Sequence, residues 1–202
     1  EFQAVMVAIG HATTVDELRC YELWQLVEQS AKLASGSLLE VGVWRGGTGA
    51  LIATQARRCD IADKVYLCDT FTGVVKAGEH DNYCRGGEFA DTSRRVVEDL
   101  TRTAMGLNNI EILEGVFPDQ TGHRVVDQTF RFCHIDVDVY QSAKDIVDWV
   151  WDRMVVGGIM VYDDFGFWSC TGIARYVDEQ AGQANRVVIR NLNGHGVVVK
   201  VG

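Results

Sequence analysis

Apolar and polar positions alternate along the chain in two rhythms. Short apolar runs are separated by stretches whose apolar residues recur at helical spacing, the pattern of a mostly parallel sheet with helices on both faces. Residues 15–34 carry an apolar stripe of Leu18, Tyr21, Leu23, Leu26, Val27 and Leu33 and predict an amphipathic helix. Strands are predicted over 37–43, 64–68, 110–113, 130–135 and 158–162, with helices over 48–57, 92–105, 141–154 and 171–180 and Asp91 as a candidate cap. Residues 186–190 and 197–201 predict a closing antiparallel hairpin across the Asn- and Gly-rich link N-L-N-G-H-G. Residues 72–90 show no period. A loop of that length in a compact domain is usually functional or disordered, so 72–90 is the candidate lid. The sum is an α/β fold with a seven-stranded, mostly parallel sheet and a terminal antiparallel hairpin.

Composition narrows the class. A chain of 202 residues is enough for one well-buried core, and residues 1–202 read as a single domain with an N-terminal helical segment over 1–35. Hydrophobic residues at 47% and charged residues at 23% give the balance of an ordinary globular protein. The net charge of −9 argues against a nucleic-acid partner, and Arg57-Arg58 and Arg94-Arg95 read as solvated helix faces. No apolar run approaches the roughly 20 residues of a bilayer span, so no membrane partner is expected. Glu1-Phe2-Gln3 shows neither a basic region nor a cleavage site, so no signal peptide is expected. The six cysteines are scattered without a C-x-x-C pair, which fits a reduced, cytoplasmic compartment.

Ligands of open α/β sheets bind beyond the carboxyl ends of the strands, so the residues following each apolar run are the candidates. The first strand runs into E-V-G-V-W-R-G-G-T-G, residues 40–49, whose glycines let backbone approach a ligand closely. The second glycine of the dinucleotide fingerprint is absent, which disfavours a nicotinamide-dependent oxidoreductase. An acid two residues ahead of the first glycine, Glu40, instead resembles the first motif of S-adenosylmethionine methyltransferases. Asp69 closes the second strand, where an acid can accept hydrogen bonds from ribose hydroxyls. The fourth strand ends H-I-D-V-D-V-Y and the fifth V-Y-D-D-F-G. If extended backbone persists, Asp136 and Asp138 share a face, and Asp163-Asp164 arrive beside them from the neighbouring strand. Crowded carboxylates repel one another unless a cation intervenes, and an all-oxygen set favours Mg²⁺, with Mn²⁺ or Ca²⁺ as alternatives. The bland alternative is that these acids only end strands and cap helices, Asp138 capping the helix from Gln141.

Taken together, E-V-G-V-W-R-G-G, C-D-T-F-T-G, H-I-D-V-D-V-Y-Q-S and V-Y-D-D-F-G resemble the macrocin O-methyltransferase family over residues 37–180. The resemblance implies a Rossmann-like class I methyltransferase fold, S-adenosylmethionine as donor, Mg²⁺ dependence and a hydroxyl acceptor on a small molecule, a sugar or glycoside first and a catechol or phenol second. It implies natural-product biosynthesis and a homodimer. It makes Asp136, Asp163 and Asp164 metal ligands and Asp138 the general base. Glu40, Gly42, Val43, Trp44, Thr48, Asp69, Thr70, Phe71, Gly115, Phe117 and Asp136 would then surround the cofactor. His80, Tyr83, Tyr140 and His195 are candidates for substrate contact, solvent-facing or turn roles being the alternative. The chain departs from known sugar methyltransferases at Val137, where a small residue is common, and in its shorter N-terminal region. A non-catalytic nucleotide- or metal-binding module is the remaining rival, and the presence of Asp138 argues against it.

Overall fold

The computed structural model describes residues 1–202. Five parallel strands, β1 (Ser37–Val41), β2 (Val65–Asp69), β3 (Ile110–Glu114), β4 (Phe130–Ile135) and β5 (Met154–Tyr162), carry the sheet. Strands β6 (Arg186–Arg190) and β7 (Gly196–Lys200) close it as an antiparallel hairpin, with β7 against β5. The strand order is β3-β2-β1-β4-β5-β7-β6. The helices are α1 (Phe2–Ile9), α2 (Glu17–Ser30), α3 (Gly47–Arg58), α4 (Arg94–Glu98), α5 (Tyr140–Val150) and α6 (Thr171–Gln180).

Period-two alternation divides the core. Leu38, Val65, Leu67, Phe132, Ile159 and Val161 face the layer of α1, α2 and α3, whereas Leu39, Tyr66, Cys68, Cys133, Met160 and Tyr162 face α5 and α6. Glu40, His134 and Asp163 share parity with the first set, which places three polar side chains beneath the α1–α3 layer. The sheet order reverses between β1 and β4, so the loops after these strands diverge into a crevice at their carboxyl ends. No helix is long and apolar enough to cross a membrane.

Several predicted boundaries move, each for a local reason. The first strand stops at Val41 rather than residue 43 because Gly42 (φ 88°) and Trp44 (φ 47°) take left-handed backbone. A Cβ at Gly42 would sit 1.6 Å from the Asp136 carbonyl oxygen, so the loops after β1 and β4 pack backbone on backbone. The helix expected over 92–105 is α only in Arg94–Glu98 and continues as a wider turn over Asp99–Ala104. Ser93, not Asp91, caps it, while Asp91 accepts from the Trp44 indole at 2.8 Å and pairs with Arg45. The helix expected to reach residue 154 ends at Val150. Val155 and Val156 are β-branched and join β5, which starts at Met154 rather than residue 158. The N-terminal helical segment expected over 1–35 is two helices, and Val5 and Ile9 bury the first of them, α1, in the core.

Residues 72–90 form no helix or strand, yet they are tied down. The Asp81 carboxylate accepts from the backbone of Tyr140 (2.9 Å) and Gly78 (2.8 Å), so this loop caps α5 from a distance. Lys76 bridges Asp119 (2.7 Å) and Asp145 (2.6 Å), and the Ser142 hydroxyl donates to the Val75 carbonyl.

Candidate active site

The crevice holds a cavity of about 300 Å³. From the β1, β2 and β3 ends it is lined by Gly42, Val43, Trp44, Thr48, Asp69, Thr70, Gly115 and Phe117, and from the β4 and β5 ends by Asp136, Asp138, Asp163, Asp164, Phe167 and Cys170. Helix α3 begins at the cavity wall, where no side chain caps it and the Gly47 N–H donates to the Ala12 carbonyl at 3.0 Å. Asp69 laces the first wall together. One of its oxygens accepts from Val43 (2.7 Å) and Trp44 (2.8 Å) backbone N–H, the other from Phe71 (2.7 Å). The second oxygen keeps one acceptor position, which suits a ribose hydroxyl. An elongated cofactor with a negative carboxylate and a diol fits this half of the cavity.

The carboxylates gather as two overlapping groups. Oxygens of Asp136, Asp163 and Asp164 lie within 4.8 Å of one another, and Asp138, Asp164 and the Cys170 sulfur do likewise. Asp164 belongs to both. The expectation that Asp136 and Asp138 share an extended face is corrected: β4 ends at Ile135 and Asp138 is left-handed (φ 63°). The Val139 N–H donates to the Val137 carbonyl at 2.7 Å, closing a three-residue turn of a rare and strained kind around Asp138. That turn swings Asp138 toward Asp164, whose carboxylate accepts the Asp138 backbone N–H at 3.0 Å, and toward Cys170, whose thiol donates at 3.6 Å. Asp138 does not cap α5; Asp81 occupies that position.

Burial, reinforced by the neighbouring carboxylates, pushes the pKa of Asp136 and Asp164 well above the usual range. Burial raises Asp138 to about 6 despite the Cys170 thiol. Asp163 goes the other way. Burial alone would raise it, but contacts from His134, His195 and Arg19 hold it below the ordinary value. A cluster with two carboxyls pushed toward neutrality is short of positive charge, and its donors are all oxygen. It fits a hard divalent cation.

Two residues of this region, Arg19 and His134, have no role assigned from the sequence. Arg19 of α2 pairs with Asp163 and with Asp16 (2.7 Å), and lies over the Phe167 ring. His134 and Glu40 form a fully buried pair at 2.8 Å. Burial opposes charge on His134, but the carboxylates of Asp163 and Glu40 outweigh it and raise its pKa to about 9. Glu40 therefore sits behind the cavity wall rather than in it, because its side chain shares the inward face with Leu38; a Cβ on Gly49 would lie 2.6 Å from its second oxygen. Phe71 contributes its backbone to Asp69 but does not line the cavity.

The four substrate candidates also lie outside the cavity lining. His80 packs edge-on against Tyr140, Tyr83 packs against Trp168, and the Tyr140 hydroxyl donates to Glu179. His195 is fully buried between Glu22 and Asp163. The spacing could have revealed His134, which alternates with Asp136 on one strand face; nothing in the sequence marks Arg19.

Comparison with known proteins adds the family. The family model described as Macrocin-O-methyltransferase (TylF) matches residues 8–193. The chain is 30% identical to the demethyldecarbamoylnovobiocin O-methyltransferase of Streptomyces niveus over 140 residues, which cover 64% of this chain and 53% of that protein. It is 26% identical to the 8-demethyl-8-(2,3-dimethoxy-alpha-L-rhamnosyl)-tetracenomycin-C 4'-O-methyltransferase of Streptomyces olivaceus, over 67% of this chain and 55% of that one. It thus spans little more than half the length of these curated relatives. The solved structure of the O-methyltransferase NovP superposes with a TM-score of 0.76 at 25% identity, covering 91% of this chain and 80% of that one.

Proposed function

The chain belongs to the macrocin O-methyltransferase family, and on that premise we propose that it methylates a hydroxyl of a small molecule, a sugar or glycoside, with S-adenosylmethionine as donor and a divalent cation at Asp136, Asp163 and Asp164. The observation that carries this reading is the sharing of Asp164 between a three-carboxylate group and the group that contains Asp138. This sharing supports a candidate cation ligand and a candidate base at the edge of one cavity.

S-adenosylmethionine supplies an electrophilic methyl group, and a divalent cation such as Mg²⁺ lowers the pKa of an acceptor hydroxyl. The protein's own part is orientation and proton removal. Val43, Trp44 and Thr48 frame the amino-acid end of the donor at the start of α3. Asp69 receives the ribose, and Thr70, Gly115 and Phe117 border the adenosine. Asp138, held in its strained turn, would take the acceptor's proton when the methyl group passes from sulfur to that oxygen. Holding both reactants in one cavity would supply much of the rate.

The cavity's charge bears on the acceptor. Arg19 is its one cationic lining residue, and two aspartates already occupy it. A neutral polyol suits that lining better than a phosphorylated sugar, whose charge would meet five carboxylates.

The test is transfer of labelled methyl from S-adenosylmethionine to a panel of neutral glycosides and catechols, with Mg²⁺ and with chelator. Asp138→Asn is expected to reduce transfer by about 10²–10⁴-fold while leaving S-adenosylhomocysteine binding unchanged. Undiminished transfer by that variant removes Asp138 from the base role. A melting temperature raised by a nicotinamide dinucleotide and not by S-adenosylhomocysteine overturns the whole reading.

A further inference from the structure

Asp163 is the most heavily held of the four clustered aspartates, and what holds it reaches across the whole fold. One oxygen lies 3.0 Å from His195 Nε2 and 3.6 Å from His134 Nε2. The other is paired with Arg19. Each histidine is backed in turn by a glutamate: His195 Nδ1 lies 2.6 Å from Glu22, and His134 Nδ1 lies 2.8 Å from Glu40. Two Glu–His arms, one from α2 and the terminal hairpin, the other from β1 and β4, converge on a single carboxylate oxygen.

We propose that Glu22 and His195 are positioning residues that fix the Asp163 carboxylate as a cation ligand, with Arg19 and the Glu40–His134 pair as the supporting arm. The proposal rests on the cation site put forward above. His195 is the stronger arm because its contact is a hydrogen bond, whereas His134 Nε2, at 3.6 Å, has no hydrogen-bond partner. Glu22 does more than orient the ring. It also accepts from Asn191 and from Asn193 (2.7 Å), so it clamps the hairpin link to α2 and sets where His195 stands.

Fold stability alone does not account for the arrangement. His134, His195 and Glu40 are fully buried, and burying charged and polar groups is costly enough that apolar replacements of similar shape are often at least as stable. Groups that orient a metal ligand are retained for another reason: their loss typically weakens metal binding 10–100-fold. Because Asp163 is already compensated by Arg19 and His134 and hydrogen-bonded to His195, Asp136 and Asp164 are left to supply the uncompensated charge, and Asp163 supplies direction.

Two substitutions separate positioning from packing. His195→Gln places an amide N–H near the former Nε2 and keeps a donor to Asp163, while His195→Asn places its amide near Nδ1, keeping Glu22 and losing Asp163. Mn²⁺ binding to the full chain is measured by electron paramagnetic resonance, with Asp136→Asn as a site control and thermal melts on every variant. The expected result is roughly 10–100-fold weaker Mn²⁺ binding in His195→Asn and substantial recovery in His195→Gln, at similar melting temperatures. Equal binding by the intact chain and His195→Asn overturns the positioning role alone. Equal weakening in both variants does so too, since that is what lost packing gives. No Mn²⁺ binding by the intact chain overturns the cation site and this inference together.

Discussion

The link between the long loop and the carboxylate strands can be tested at Asp81. This side chain is 8% exposed, and its two oxygens accept the Tyr140 and Gly78 backbone N–H groups. Asp81→Ala removes the acceptor of both donors, the half-buried Tyr140 N–H and the Gly78 N–H of the exposed loop. A fully buried loss costs about 1–3 kcal/mol and one that water reaches costs less, and the Tyr140 bond is also the N-terminal cap of α5. The start of α6 packs on the same group, since a Cβ at Gly172 would lie 2.0 Å from an Asp81 oxygen, so the vacated space cannot be filled by a small backbone shift alone. Summing the two donors with partial rescue by water gives about 2–4 kcal/mol. For a chain of this size that lowers the melting temperature by roughly 5–15 °C. Calorimetry at neutral pH measures it. Asp81→Asn keeps an acceptor for Tyr140 but turns an amide toward Gly78, and its melting temperature should fall between the two. If Asp81→Ala melts within about 1 °C of the unaltered chain, the loop is not anchored through this residue and the reasoning fails.

The clustered aspartates should destabilise the metal-free protein. Asp136→Asn removes one of several crowded carboxyls and is expected to raise the metal-free melting temperature by roughly 2–4 °C, equivalent to about 1 kcal/mol. The same variant should lose the Mg²⁺-dependent rise of the intact chain, which at a hundredfold excess over Kd amounts to about 2.7 kcal/mol; a Mg²⁺ response that survives the substitution argues against Asp136 as a ligand. Glu22 gives a pH signature. Burial raises its pKa, but hydrogen bonds from His195, Asn193 and Asn191 bring it below the ordinary 4.5. A depressed carboxyl stabilises the fold above its unfolded pKa and loses that contribution as pH falls through the folded value. Urea melts from neutral pH to about pH 3 should therefore show Glu22→Gln less stable by roughly 1–2 kcal/mol at neutrality. The gap should narrow below pH 4.5; a pH-independent gap shows that the carboxylate charge is not what matters.

What was legible in the sequence follows from what is local. The strand-end acids could be read because a parallel sheet puts every strand's carboxyl end on one rim, so Asp69, Asp136 and Asp163-Asp164 had to meet near the crevice. The hairpin was legible from its link and from β-branched runs on both sides. The elements that moved were settled by contacts the pattern does not carry. Met154 joins β5 because Phe130 pairs with it across a register shift. Ser93 caps α4 because Trp44 and Arg45 have claimed Asp91. The buried glutamate–histidine arms were invisible for the same reason at longer range: Glu40 and His134 are 94 residues apart, and Glu22 and His195 are 173 apart.

The position of Asp138 shows how the strand rule and the site part company. Strict alternation would have put it beside Asp136, adding a fourth carboxylate to the three around the candidate cation and leaving no base free of it. The turn closed by Val139 and Val137 breaks the alternation and moves Asp138 to the far side of Asp164, against the Cys170 thiol. Aspartate tolerates left-handed backbone better than most residues, yet the conformation still costs on the order of 1 kcal/mol. Asp164 pays part of that cost by accepting the Asp138 N–H, so the same residue that would bind the cation also holds the candidate base apart from it. Under the proposed function, a cation held at Asp164 would leave Asp138 on the other side of that carboxylate, within reach of the acceptor's proton.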